Sequence, residues 1–122
     1  SLERALAFYV AAFGMAPARR FGEHGVELMG ADAPLYLLRK AAGSTGAGNA
    51  PRDYARHWMP LHLDVVVDDL DAALTRALAA GAVQEGAIRD EAYGRIVQLA
   101  DPFGPGWCLL AFSARGYDAI AT

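Results

Sequence analysis

An α+β fold built from two repeats of the order strand, helix, strand, strand, strand is the architecture this 122-residue sequence predicts. Three observations lead to it. Two amphipathic segments with apolar residues at three- and four-residue steps each run into a glycine, as helices do. Short apolar or alternating runs of strand length follow each of them. The order of these elements in the first half repeats in the second, except that the first half begins directly at its helix and lacks the leading strand. One such unit cannot cover both faces of a small sheet. Two side by side are expected to form a curved mixed sheet with helices outside and a concave face for a small ligand.

Leu2, Leu6, Tyr9, Val10 and Phe13 form the apolar stripe of the first helix, with Ser1 as its cap and Gly14 as its end. Ala18 to Phe21 and Val26 to Met29 are expected strands around a turn at Glu23-His24-Gly25, and Leu35 to Leu38 is a third. This first module spans 1–40. Residues 41–60 change character: a run of small residues from Ala41 to Ala50 reads as a flexible linker, and Tyr54, His57 and Trp58 are its anchors. The second module spans 61–112. Leu61 to Val67 alternates as a strand; Asp68-Asp69 caps a helix from Leu70 to Ala80, with Leu70, Ala73, Leu74, Ala77 and Leu78 on one face. Val83 to Ile88 and Arg95 to Ala100 read as strands around a turn at Asp90 to Gly94. Asp101 to Gly106 is a tight turn, and Trp107 to Phe112 is the last strand. The tail 113–122 is polar and expected to fray, with Tyr117 and Ile120 as docking candidates.

Laying one half on the other brings Ser1-Leu2-Glu3 onto Asp69-Leu70-Asp71, Ala5-Leu6 onto Ala73-Leu74, and Gly14 onto Gly81. Leu35-Tyr36-Leu37-Leu38 falls on Trp107-Cys108-Leu109-Leu110. Alanine-rich helices match easily, so the shared order of elements carries more weight than the identities.

Composition removes several function classes. Hydrophobic residues make up 54%, charged residues 20%, and the net charge is −3. There is no basic field for nucleic acid and no basic run for a membrane surface. No apolar run approaches the roughly 20 residues a bilayer requires. Cys108 is the only cysteine, so no intrachain disulfide forms and a reducing, cytoplasmic setting is expected. A phosphate-binding loop, a nucleophile elbow and a Cys-x-x-Cys pair are all absent from the sequence.

The run Leu61-His62-Leu63-Asp64-Val65-Val66-Val67-Asp68-Asp69-Leu70-Asp71-Ala72-Ala73 resembles the start of a module of the vicinal oxygen chelate superfamily, the glyoxalase, bleomycin-resistance and dioxygenase group. Gly94 to Gly104, with its Asp101-Pro102-Phe103-Gly104 turn, is similar to the third strand of such a module, and Trp107 to Leu110 to its last. The resemblance implies a divalent metal on the concave face, held by residues of the first and last strand of each module. The metal would bind two neighbouring substrate oxygens and stabilise an enolate or oxyanion. Residue by residue, the first-strand ligand of the second module falls on His62. The last-strand ligands fall on Cys108 and Tyr36, and the first module offers no residue for the fourth. His62 is thus the one metal-ligand candidate of standard type.

Tyr36, Trp58, His62, Gln98, Trp107 and Cys108 are the expected ligand-binding residues. Each has a plainer reading: aromatic packing for Tyr36 and Trp107, a hydrogen-bonded pocket histidine for His62, a small buried hydrophobe for Cys108. Asp68, Asp69 and Asp71 are explained by helix capping and the helix dipole. The favoured expectation is a cytoplasmic protein that binds a small organic molecule without a standard metal site or other cofactor. The alternatives are a divalent-metal-dependent lyase, isomerase or dioxygenase using His62 with unusual or upstream ligands, and a strand-completed or swapped homodimer with a structural role. A homodimer is the expected assembly; catalysis is left open.

Overall fold

The computed structural model describes residues 1–59, 61 and 63–122, leaving aside the side chain of Ala47. The chain divides into two compact units, Ser1–Ala55 and Arg56–Thr122. His62 lies outside the described residues.

The first unit opens with helix α1 (Leu2–Phe13), which ends on Gly14 in the left-handed conformation, its N–H donating to the carbonyl of Val10. Ser1 makes no side-chain cap; its backbone carbonyl accepts from Ala5. Strands β1 (Ala16–Phe21), β2 (Gly25–Met29) and β3 (Leu35–Leu38) follow as an antiparallel sheet in the order β1-β2-β3. The register shifts between Pro17 and Arg20, an irregularity that bends the strand and re-aims its side chains. Val26 and Leu28 are fully buried. Arg20, paired with Val26 in register, reaches Glu3 of α1 at 2.8 Å, which marks this as the helix-covered face of the sheet. The buried residues of α1 are Leu2, Phe8, Tyr9 and Ala12, a stripe rotated from the expected one, with Val10 exposed. The helix is apolar over most of its circumference, so periodicity alone could not choose the face.

Residues after β3 are less loose than their composition suggests. Gly46 N–H donates to Ala50 at 2.7 Å, Thr45 bridges Pro51, and Arg52 N–H donates to Ser44 at 2.9 Å. From Arg56 onward the chain belongs to the second unit.

That unit holds β4 (Leu63–Val66), α2 (Leu70–Ala79), β5 (Val83–Gln84), β6 (Arg89–Glu91), β7 (Gly94–Ala100) and β8 (Gly106–Phe112). The sheet order is β4-β8-β7-β5, with β6 also on β7; β4 runs parallel to β8 and the other pairs are antiparallel. A strand on one side of a helix returning parallel to the sheet is the βα half of the expected module. Asp69 caps α2 by accepting from Ala72 N–H at 3.0 Å. Leu70, Ala73, Leu74 and Ala77 are its buried residues, while Leu78 is exposed. Val97, Leu99 and Leu109 are fully buried; each such side chain contributes roughly 1.5–3 kcal/mol of burial free energy. Arg95 alternates with them and bonds Asp71 of α2 at 2.8 Å, so theirs is the helix-covered face.

Two expectations change here. The strand expected over Val83 to Ile88 shortens to β5, and a further strand, β6, begins beyond it and occupies part of the segment read as a turn; its exposed, charged Arg-Asp-Glu sequence carries no apolar alternation to betray it. The tail is not frayed throughout. Gly116–Ala119 forms a 3-10 turn that sets Tyr117 against Tyr93 and Phe112, with ring centroids 5.4 and 4.9 Å apart.

Candidate functional site

Period-two alternation sends the residues that are not under the helices to the opposite, open face of each sheet. In the first unit that face carries Arg19, Phe21, Glu27, Met29, Tyr36 and Leu38. Glu27 stands opposite Tyr36 in the β2–β3 register. Its carboxylate is almost completely buried, 4% exposed, and every bond to it is short. Arg19 donates from Nε to Oε2 and from Nη2 to Oε1, both at 2.6 Å, and the Tyr36 hydroxyl donates to Oε1 at 2.8 Å. The Arg19 bond, then the Tyr36 bond, hold the Glu27 carboxyl down at about 2. The same bond to Glu27, reinforced by burial, pushes the Tyr36 hydroxyl above its usual range. Tyr36 therefore keeps its proton and spends it on Glu27.

The second unit repeats this ladder with different chemistry. Gln98 stands opposite Cys108, and Asp64 stands on Cys108's other side. Arg89 donates to Gln98 Oε1 at 3.2 Å, as Arg19 does to Glu27. Cys108 is buried among Ile96 and Leu110, with Tyr93 packed against them. Burial, then the Asp64 charge, pushes its thiol up to about 11. Tyr117 donates to Asp64 at 3.4 Å from the C-terminal turn.

Trp58 lies at the other end of β8. Its indole sits where a Gly106 side chain would point and donates from Nε1 to Glu85 at 2.9 Å. Arg56 stacks 4.8 Å from the ring centroid and forms a bidentate ion pair with the same Glu85. Trp107 goes the opposite way from its neighbour Cys108. It is buried on the helix-covered side, and its Nε1 donates to Asp101 at 3.3 Å. Asp101 also accepts from Phe103 N–H at 2.8 Å, and its own N–H donates to Pro105. The Asp-Pro-Phe-Gly turn is thus held by a buried carboxylate with Trp107 as one of its donors.

Of the six expected site residues, Gln98 and Cys108 are register partners on the face away from the helix, where Cys108 is buried; Trp58 packs over Gly106 of the same strand, and Tyr36 lies on the open face of the first unit. Sequence reasoning missed Arg19, Glu27, Arg89 and Asp64. A signal for Glu27 existed: it is the one charge inside the strand Gly-Val-Glu-Leu-Met, and the repeat lays it on Gln98.

The metal implied by the resemblance calls for deprotonated donors, since a divalent ion binds thiolate, carboxylate or neutral imidazole. The Tyr36 hydroxyl is spent on Glu27, both Glu27 oxygens are engaged, and Cys108 is buried among apolar side chains. Among the described residues no three His, Cys, Asp or Glu side chains are grouped to hold an ion. The described donors do not fit a divalent metal. Three acidic residues lining the open cleft of about 460 Å³ at the start of α2 have other work. Asp69 caps the helix, Asp90 pairs with Arg95, and Glu91 pairs with Arg89.

The sequence profile of the glyoxalase-like domain matches residues 1–110. No curated protein matches the sequence. Among solved structures, the chain is similar to TioX from Micromonospora sp. ML1, at 19% identity and a TM-score of 0.68, covering 93% of this chain and 91% of that one. It is similar to a glyoxalase-related enzyme from Fulvimarina pelagi, at 20% identity and a TM-score of 0.69, covering 95% and 87%. It is also similar to a lactoylglutathione lyase from Agrobacterium tumefaciens, at 19% identity and a TM-score of 0.62, covering 91% and 85%. At these identities the likeness is one of fold. No helix among the described residues is long and apolar enough to cross a membrane.

Proposed function

The chain belongs to the glyoxalase-like domain family, and on that footing we propose that it binds a small organic molecule on the open faces of its sheets without help from a metal. One observation carries this reading. At the strand positions where the family resemblance places metal ligands, the Tyr36 hydroxyl is already bonded to Glu27 and the Cys108 thiol is packed among Ile96 and Leu110. Such groups suit recognition by hydrogen bonding and packing, and would have to give up a proton before binding a Lewis acid. Gln98 adds an amide on the same face as Cys108, and Trp58 an aromatic wall further along β8.

The alternative is a metal-dependent lyase, isomerase or dioxygenase centred on His62, and one measurement separates the two. Protein prepared without chelator is analysed for bound metal and titrated with Zn²⁺, Ni²⁺ and Mn²⁺ while its melting is followed. The binding reading expects less than stoichiometric metal and no stabilisation by any of the three ions. A stoichiometric ion that disappears in His62→Ala would overturn it. The family resemblance also makes a cytoplasmic homodimer the expected assembly, and sedimentation of dilute protein tests the dimer.

A further inference from the structure

We propose that the open face of the first unit is an anion seat, in which Arg19 receives the carboxylate or a similar oxyanion of a planar apolar ligand whose ring lies against Tyr36 and Phe21. This rests on the reading of the face as a small-molecule site and adds the chemical class of the ligand.

The argument starts from how the guanidinium is used. Arginine has five N–H donors arranged along distinct edges. Glu27 takes the side edge, Nε and Nη2. Nη1 of the end edge makes no hydrogen bond to a described residue, and the Tyr36 hydroxyl stands beside the group. The Arg19 side chain is 69% exposed while that of its partner Glu27 is 5% exposed. The guanidinium is therefore anchored at its base and open at its tip. Its end edge matches the two oxygens of a carboxylate in a planar fork. Because Glu27 already fixes the group, much of the cost of ordering a long side chain is met before a ligand arrives.

The surroundings distinguish this arginine from an ordinary solvated one. Phe21, Tyr36 and Leu38 share its face and are 44%, 47% and 58% exposed. Phe21 and Tyr36 stand with ring centroids 6.0 Å apart, tilted by 37°. The Tyr36 hydroxyl is tied to Glu27, which fixes its ring beside the guanidinium. Exposed aromatic carbon framing one oriented cation calls for a ligand with a flat apolar body and one negative end. Glu27 stands behind the guanidinium and opposes the incoming charge, so removing the Glu27 charge strengthens the attraction.

The test uses 2-naphthoate and its uncharged isostere 2-naphthamide, titrated into the full chain and followed by ¹H–¹⁵N NMR. Naphthoate is expected to bind about tenfold tighter or more, the worth of a charge-assisted hydrogen-bond pair. Its largest shifts are expected at the Arg19 side-chain N–H groups and the amides around Glu27 and Tyr36. Glu27→Gln tightens naphthoate further. The double variant Arg19→Gln with Glu27→Gln removes both charges, leaves no buried unpaired charge, and abolishes the preference. Arg19→Lys keeps the charge but not the fork, and reduces the preference even if the double variant does not fold. Equal affinity of the two compounds at this face, or a preference that survives the loss of Arg19, overturns the anion seat and leaves the binding reading standing. No shift on either sheet face from either compound overturns both.

Discussion

Gly106→Ala tests the placement of Trp58 in a way few other substitutions can. A Cβ at position 106 would lie 2.7 Å from Cε3 and Cζ3 of the indole and 2.8 Å from Cδ2. Carbon atoms in ordinary contact stay about 3.5 Å or more apart, so the ring must retreat by about 0.8 Å. It has no freedom to do so cheaply. Nε1 is bonded to Glu85 at 2.9 Å, Arg56 is stacked on the ring, and Arg56 is itself held by Glu85. A shift of about 0.8 Å is enough to take the Nε1 bond out of range. The loss combines an overpacking cost of about 1–3 kcal/mol with a weakened cation–π contact of about 0.5–1 kcal/mol. The net expectation is a destabilisation of about 1.5–4 kcal/mol. Urea unfolding gives the magnitude, and the Trp58 indole N–H resonance, assigned with Trp58→Phe, reports the ring. Trp58→Ala should erase the effect, because the methyl then enters vacated space, so the two substitutions should be strongly non-additive. A Gly106→Ala protein within about 0.5 kcal/mol of wild type, with the Trp58 resonance unmoved, would refute the placement.

Three further outcomes follow from the same geometry. Asp101→Ala strands the Phe103 N–H and the Trp107 indole N–H in a buried turn, so it should cost about 2–4 kcal/mol by urea unfolding, and Asp101→Asn less. Cys108 should resist iodoacetamide at pH 8 in the folded protein and react on unfolding, since its thiol is buried and raised to about 11; alkylation at the rate of a free thiol would contradict this. Glu27 is lowered from 4.5 to about 2, so its contribution to stability is present above pH 4.5 and is lost as the pH falls through about 2. Glu27→Gln should flatten the melting temperature across that window, and an unchanged acid slope would show that the pair does not form.

Much of the fold was legible because period and punctuation agreed. β3 lies where the apolar run Leu35 to Leu38 put it, and α2 runs from its Asp69 cap as expected. β6 was not legible, because its stability comes from pairing with β7 and not from its own side chains. The candidate site was legible in part. Trp107 and Cys108 were both expected at a ligand, yet adjacent strand residues face opposite ways, and the buried Asp101 determines which way Trp107 goes. The Arg19–Glu27–Tyr36 ladder depends on register across three strands, with an irregularity in β1 that no local pattern announces. A one-residue slip would have sent Glu27 under the helix.

The two ladders repeat one arrangement with different chemistry. In both units a strand residue at the same repeat position accepts from an arginine and stands opposite a group that keeps its proton. In the first unit the acceptor is a carboxylate, so the arginine is anchored by an ion pair and its outer edge is left for a ligand. In the second the acceptor is an amide, which carries no charge to hold Arg89; that guanidinium turns also to Glu91 at 3.4 Å. The amide and the thiol beside it lie between the Arg89 guanidinium and the Asp64 carboxylate, and Tyr117 donates to the latter. On the proposed binding reading, each unit's face therefore has its own ligand preference. Sequence changes confined to positions 27, 36, 98 and 108 would shift that preference while leaving the helix-covered cores of both units as they are.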